Sequence, residues 1–488
     1  MRLVKKYRRT TLITVGCLSV LLGLGLSRKV NIQPAIWWLV FAPLLAILRT
    51  KNLASLLLVI VLGLGVGLWR GSGFMQKAND LKALSGYKVT IQATATTDSI
   101  YGNKAQIEFT ANRVQLLQGG SFQNYNKPLA GNFKISGFGE KMVYRGDIVQ
   151  VSGKLYPMRG SNQARIAYAQ LQKVGVSTNW INKLTRNFNA GMQNALPEPL
   201  ASFGLGLLIG QRSTLPTDIL TALTTVGLVH IVAVSGYNLT ILVRATQRVK
   251  LRSKYQRLVI SLVLIGLFVL ITGFSASIVR AAFVSILSLW AWFYGRHIKP
   301  ILLILFAAAV TGLVNPFYVW GDLGWYLSFL AFFGVLVIAP LIAARLFKGR
   351  PKMLTMVLIE TLSAEIMTLP LIMMTFGKLS LVALLANVIV VPMVPFAMLL
   401  GAIAAAAGTW LTPLAGWFAW PAKILLTYML DIVRLLSQLP HAAINGSISV
   451  VQMLILYALV LFLVLVVSIH IRRKNHKLPA VSILGISK

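Results

Sequence analysis

Acidic residues are scarce in this chain. Only 11 Asp and Glu stand against 47 Lys and Arg in 488 residues, and charged residues of both signs make up 12%. A soluble protein carries about 25% charged residues, so this chain has too few to cover a water-facing surface. Cys17 is the only cysteine, which excludes an intrachain disulfide and any multi-cysteine zinc site. The five histidines, His230, His297, His441, His470 and His476, never pair at H-x-H or H-x-x-x-H spacing. No G-x-x-x-x-G-K-[ST] phosphate loop occurs, so any energy-coupled process must take its motor from another chain. The expectation is no catalytic residue, no metal, no cofactor and no enzymatic activity.

What the chain has in plenty is apolar sequence: 57% of residues are hydrophobic and the formal charge is +36. Aromatic and branched apolar residues are too abundant for disorder. Apolar stretches at about 11–26, 33–48 and 53–69 open the chain, the first behind a basic start and read as an uncleaved helix. From residue 201 onward, spans are expected near 258–273, 277–294, 300–314, 324–343, 353–373, 380–407, 415–437 and 449–470. Segment 201–243 is irregular and must make one net crossing. The loop 244–257 carries six positive charges and no acid, which assigns it to the cytoplasm. Together these give about twelve crossings, with both termini cytoplasmic and residues 70–180 outside.

Residues 70–180 differ from the rest. They contain no spanning run, and strand-like alternation is found at 88–97, 105–117, 132–138, 147–155 and 165–174, with turn signals between. Five short strands suggest a small β-barrel, for which a five-stranded OB-fold is the natural candidate and sandwich fragments the alternative. The fold class is therefore a polytopic α-helical membrane protein with an inserted extracytoplasmic OB-like domain. The expected parts are 1–69, a three-helix membrane segment; 70–180, the barrel; 181–475, the main membrane domain; and 476–488, a short tail.

Several residues are out of place in lipid. Arg280 lies within a span, where arginine costs about 2.5–3.5 kcal/mol on insertion scales, so it should face a partner or a wet cavity, the alternative being that it snorkels to the outer interface from one turn into its helix. Glu360 and Glu365 share another span and could pair Arg280 or couple ions. Asn387, Pro392 and Pro395 mark a broken helix, whose freed carbonyls need a cavity or a partner. Gly227-Leu228-Val229-His230 and Ser235-Gly236-Tyr237-Asn238 place polar groups on an apolar run. Ser235 is not in a G-x-S-x-G elbow and no acid lies near to orient His230, so a hydrolase is not supported.

At this segment the sequence resembles the ComEC family of DNA-uptake proteins. The resemblance rests on Gly204 through Gly210-Gln211-Arg212-Ser213, then Gly227-Leu228-Val229-His230 and Ser235-Gly236-Tyr237-Asn238. It continues through Val279-Arg280-Ala281, Asn315-Pro316, Asp322-Leu323-Gly324 and Leu327-Ser328-Phe329. Thr368-Leu369-Pro370, Phe376-Gly377-Lys378 and Ala386-Asn387 with Pro392 complete it. Two departures stand out: Asn238 replaces the family's second histidine, and the H-x-H-x-D-H signature of its metallo-β-lactamase-like nuclease domain is not found.

The resemblance implies an inner-membrane channel that translocates single-stranded DNA during natural transformation. Its expected path is His230, Ser235, Asn238, Arg280, Asp322, Ser328 and Asn387. The partners it implies are single-stranded DNA, a cytoplasmic ATPase or helicase motor, a DNA receptor, a separate nuclease and membrane lipid. Residues 70–180 carry 14 Lys and Arg against five acids. An OB barrel with cations and exposed aromatics is a stacking platform for single strands. The cations expected to hold DNA there are Lys134, Lys141, Arg145, Lys154, Arg159 and Arg165, with about a third of the domain's aromatics exposed. The rival reading is an ion-coupled transporter of a small or lipid-linked anion, using Glu360 and Glu365.

Overall fold

The structure is a computed structural model. It describes residues 7–30, 52–101, 106–119, 127–129, 131–140, 142–158, 162–176, 180–211, 214–232, 239, 243, 253–272, 276–296, 299–347, 349 and 351–474. The chain divides into two compact units, Met1–Asn182 with Ile301–Trp325, and Lys183–Pro300 with Tyr326–Lys488.

In the first unit, helix α1 (Arg9–Leu26) packs along α2 (Leu53–Ala83). Glycines set their separation. Gly63, Gly67 and Gly71 recur every four residues and so lie on one face of α2. A Cβ on Gly63 would sit 2.8 Å from the Gly16 carbonyl oxygen; on Gly67 it would strike the Val20 carbonyl, and on Gly71 the Ser27 hydroxyl. Such stripes let two backbones touch, which is how helices associate where lipid removes the hydrophobic drive. The contacts rise together along both helices, so α1 and α2 run parallel. The expected 33–48 span lies between them in sequence, outside the described residues.

At 31 residues α2 is about 46 Å long, more than a bilayer core. The composition changes near residue 70 but the helix does not stop. Its last turns carry Leu81 and Leu84 into the core of the strand-rich domain. The strands are β1 (Lys88–Ala95), β2 (Ile100–Tyr101), β3 (Ile107–Gly119), β4 (Lys127–Leu129), β5 (Phe133–Phe138), β6 (Asp147–Pro157) and β7 (Ala164–Val176). The five long ones match the five expected from alternation. β1 pairs with β3 and β6, β3 with β5, β5 with β7 in parallel, and β7 with β6. Each long strand thus has two long neighbours. Alternate residues face inward, and Val89, Ile91, Phe109, Phe133, Ile135, Val151, Leu155 and Ile166 are buried together.

Further along, α3 (Trp180–Ala195) is followed by α4 (Leu200–Ile209), α5 (Thr217–Thr225), α6 (Val229–Val232), α7 (Lys254–Thr272), α8 (Ala276–Phe293), α9 (Pro300–Val314), α10 (Phe317–Gly321) and α11 (Leu323–Phe333). A π-turn at Gly334–Ile338 joins α11 to α12 (Ala339–Leu346). Then come α13 (Met353–Phe376), α14 (Ala383–Val390), α15 (Val394–Trp410), α16 (Ala415–Ser437) and α17 (Val450–Lys474). Short strands β8 (Lys378–Ser380) and β9 (Ala443–Asn445) pair antiparallel. In the second unit, α4, α5, α6, α14, α15 and α16 share one apolar core that includes Phe203, Leu205, Leu223, Val232, Val390 and Leu426. As expected at Pro392, the α14–α15 segment is interrupted by a short 3-10 turn at Val391–Met393.

Among the described residues, six helices are long and apolar enough to cross a membrane: Arg9–Leu26, Leu53–Ala83, Leu323–Leu346, Thr355–Phe376, Ala383–Trp410 and Val450–His470. Shorter apolar helices cover Leu200–Ile209, Ser277–Phe293 and Pro300–Val314. The protein is a multi-pass membrane protein. The expected count is about twelve; these six are the ones found among the described residues. Within the second unit a Cβ on Gly408 would collide with the Gly191 backbone, and the Thr409 hydroxyl donates to the Asn187 carbonyl at 3.2 Å, so α3 packs against the end of α15.

Candidate functional site

The strand-rich domain sorts its cations into two groups. In the first, each has an acid. Lys134 on β5 lies 2.8 Å from Glu108 on β3, and Lys173 on β7 lies 2.8 Å from the fully buried Asp147. Asp147 also accepts the Tyr144 N–H at 2.9 Å, closing the turn before β6. Arg145 is half-buried and its backbone N–H donates to Asp98 Oδ1 at 2.8 Å. Burial pushes its guanidinium below the ordinary arginine range, and the Asp98 carboxylate acts in the opposite direction.

The second group occupies the outer face of β1, β6 and β7. These three strands contain one acid, Asp147, and it is buried. Lys88 stands directly opposite Lys154 across β1 and β6, and Tyr156 opposite Arg165 across β6 and β7. All four side chains are exposed. Directly opposed like charges destabilise a sheet, and an anion above the Lys88–Lys154 pair would relieve that repulsion. The rest of the face is neutral and polar: Thr90 bonds Ser152 at 3.1 Å, and Gln92, Gln150 and Gln172 stand in register.

A bulge adds an aromatic beside these cations. Between the Ser152–Gln170 and Lys154–Ala167 pairs, Tyr168 and Ala169 oppose Gly153 alone. Tyr168 takes φ 53° and is 65% exposed. A bulky residue in the left-handed region is a conformational outlier, and such strain clusters at functional sites. Gly153 makes the close approach possible, because a Cβ there would lie 2.7 Å from Ile166 Cγ2. Among the described strand and turn aromatics of the domain, Tyr87, Phe138, Tyr144, Tyr156 and Tyr168 are exposed while Phe109 and Phe133 are core. More than the expected third therefore face outward. Lys141 and Arg159 lie outside the described residues. Lys88 was missed from sequence because nothing local shows that it faces Lys154.

The polar residues of the apolar regions meet different fates. Arg280 on α8 is 1% exposed, with its guanidinium carbon 6.0 Å from the centroid of Phe329 on α11. Ser328 is half-buried, and Asn387 on α14 is buried with an Oδ1 that accepts no hydrogen bond among the described residues. Glu360 is half-buried; so is Glu365, whose buried Oε2 likewise accepts no hydrogen bond there. His230 is exposed, its Nδ1 3.0 Å from the Gly227 carbonyl oxygen. Ser235 and Asn238 lie outside the described residues. Asp322, in the first unit, accepts the Trp325 N–H at 2.6 Å, the bond of a residue capping the helix that begins at Leu323. No group of three or more metal-ligating side chains is found among the described residues.

A family model described as Competence protein matches residues 207–470, over half of the chain. The chain belongs to the competence protein family. ComE operon protein 3 of Bacillus subtilis (strain 168) is 26% identical over 212 residues, which is 43% of this chain. That stretch spans only 26% of the relative's own length. No solved structure matches. The family match takes in Arg280, Ser328, Glu360, Glu365 and Asn387, whereas the cationic sheet face lies before it.

Proposed function

We propose that this competence protein takes up single-stranded DNA across the cytoplasmic membrane during natural transformation. In this reading the strand-rich domain, an OB-like barrel, captures the strand on the outer face of β1, β6 and β7. The observation that carries the proposal is this acid-free face, where Lys88, Lys154 and Arg165 meet Tyr156 and Tyr168. Lysine and arginine would neutralise phosphates and release condensed counterions, while the tyrosines stack bases at about 1–3 kcal/mol each. Capture of this kind is indifferent to sequence. Lys134 is paired and Arg145 is half-buried beside Asp98, so both contribute less.

In the membrane, the path runs through the second unit by way of His230, Ser235, Asn238, Arg280, Ser328 and Asn387. Arg280 offers the one strong phosphate-binding charge among them and so sets passage. Asp322 is left out, its carboxylate being engaged at a helix start. A cytoplasmic ATPase or helicase supplies the motor, and a receptor and nuclease on other chains supply the strand.

The N-terminus is cytoplasmic and the strand-rich domain outside. In this reading the basic tail after α17 is cytoplasmic as well. Alkaline phosphatase fused after residue 477 is active if the tail is outside and silent if it is not. For transport, Arg280→Ala abolishes transformation at unchanged membrane abundance; undiminished uptake would remove Arg280 from the path. The buried Glu365 Oε2 favours one second reading, an ion-coupled transporter of a small anion. That reading requires proton- or sodium-dependent anion flux that Glu365→Gln abolishes.

A further inference from the structure

Three apolar helices of the first unit reach their polar boundary at one level, and cations collect there. α1 ends at Leu26 and is followed by Arg28 and Lys29. Gly71 of α2 lies against Ser27, which brings Arg70 to the same height. α9 ends at Val314, and the Arg70 Nε donates to the carbonyl of its Leu313 at 2.9 Å. Arg28 reaches the Trp320 carbonyl at 3.4 Å, and the Trp320 indole N–H donates to the Leu24 carbonyl at 2.8 Å. One turn beyond Arg70, Phe74 holds two cations near its ring: Arg70 Cζ at 4.7 Å and Lys77 Nζ at 5.0 Å from the centroid. Phe74 itself packs edge-on against Phe317.

Arg28, Lys29, Arg70 and Lys77 are all exposed. The ion pairs seen among the described residues, Lys134–Glu108 and Lys173–Asp147, involve none of them. The one acid on α2, Asp80, lies beyond Lys77, away from the boundary. Directly below the cations the surface is apolar and open: Leu22, Leu26, Val66 and Trp69 are 56%, 49%, 39% and 46% exposed.

We infer that this collar binds the phosphate headgroup of an anionic phospholipid, whose acyl chains lie along Leu22, Leu26 and Val66. Charge complementarity and position select this occupant together. A basic cluster at the level of interfacial tryptophans meets lipid phosphates, at about 1 kcal/mol per Lys or Arg near an anionic surface. A DNA strand would use the charges but leave the apolar wall below them uncovered. Binding pins the ends of α1 and α9 and the Arg70 level of α2 at one depth.

Native mass spectrometry of the full-length protein in detergent, offered equal phosphatidylglycerol and phosphatidylcholine, tests this. The expected result is retention of phosphatidylglycerol over phosphatidylcholine, with the preference reduced roughly thirtyfold in the Arg28→Gln, Arg70→Gln double variant. Lys154→Gln with Arg165→Gln should leave it unchanged. Equal retention of the two lipids by the unaltered protein overturns the inference without recourse to any variant. So does an undiminished preference in a double variant that elutes as the native species, or displacement of phosphatidylglycerol by a single-stranded oligonucleotide.

Discussion

Two sides of one small sheet use the same residue types to different ends. On β3 and β5, Lys134 faces Glu108, and at the far end of β7 Lys173 faces buried Asp147. On the outer face of β1, β6 and β7, Lys88, Lys154 and Arg165 are exposed on strands whose one acid points inward. A net count of cations treats these groups alike. The fold separates them: one group is paired with acids, and the other stands on strands whose one acid is buried.

The comparison predicts opposite outcomes for substitutions on the two sides. The largest effect is expected from Lys173→Met, which leaves the buried Asp147 carboxylate without its cation. That should cost about 3 kcal/mol of domain stability, read by thermal unfolding of the full chain. Next, Lys88→Gln, Lys154→Gln and Arg165→Gln together should weaken single-stranded DNA binding strongly with little loss of stability. The slope of log K against log salt should fall by about 2, at roughly 0.7 per phosphate contact. Tyr156→Ala should cost about 1–3 kcal/mol of binding by fluorescence anisotropy while leaving that slope unchanged, because stacking releases no counterions. Tyr168→Gly should split the two readouts. Glycine relieves the positive φ and raises stability by up to about 1 kcal/mol, while the stacking surface is lost. The smallest effect belongs to Lys134→Gln: a change under about 1 kcal/mol in stability, as for a surface ion pair, and none in DNA binding.

Much of the fold is legible in the sequence because it is written locally. Period-two alternation between turn residues gave all five long strands, and apolar runs gave the longer helices from α7 to α17, though not the five-residue α10. The failures come from long-range facts. Nothing near residue 88 shows that it will stand opposite Lys154, because strand register is settled by the closing of the sheet. The 69/70 boundary is a change of solvent, not of secondary structure, since residues 75–83 remain good helix formers and α2 continues through them. Two signals were present and passed over. The recurrence of Gly63, Gly67 and Gly71 specifies a close helix pair. Asp322 ahead of Leu323 is an N-cap position, which removes its carboxylate from the expected path.

The central claim is that the unopposed face, not the net charge, binds DNA. It is tested most directly by titrating a labelled single-stranded oligonucleotide into full-length protein at several salt concentrations. Three proteins are compared: the unaltered chain, the Lys88, Lys154 and Arg165 glutamine variant, and a Lys134→Gln, Lys173→Gln variant that elutes as native. The account predicts that the first variant loses affinity and about two units of salt slope while the second keeps both. Equal losses in the two variants, which differ little in total charge, would contradict it.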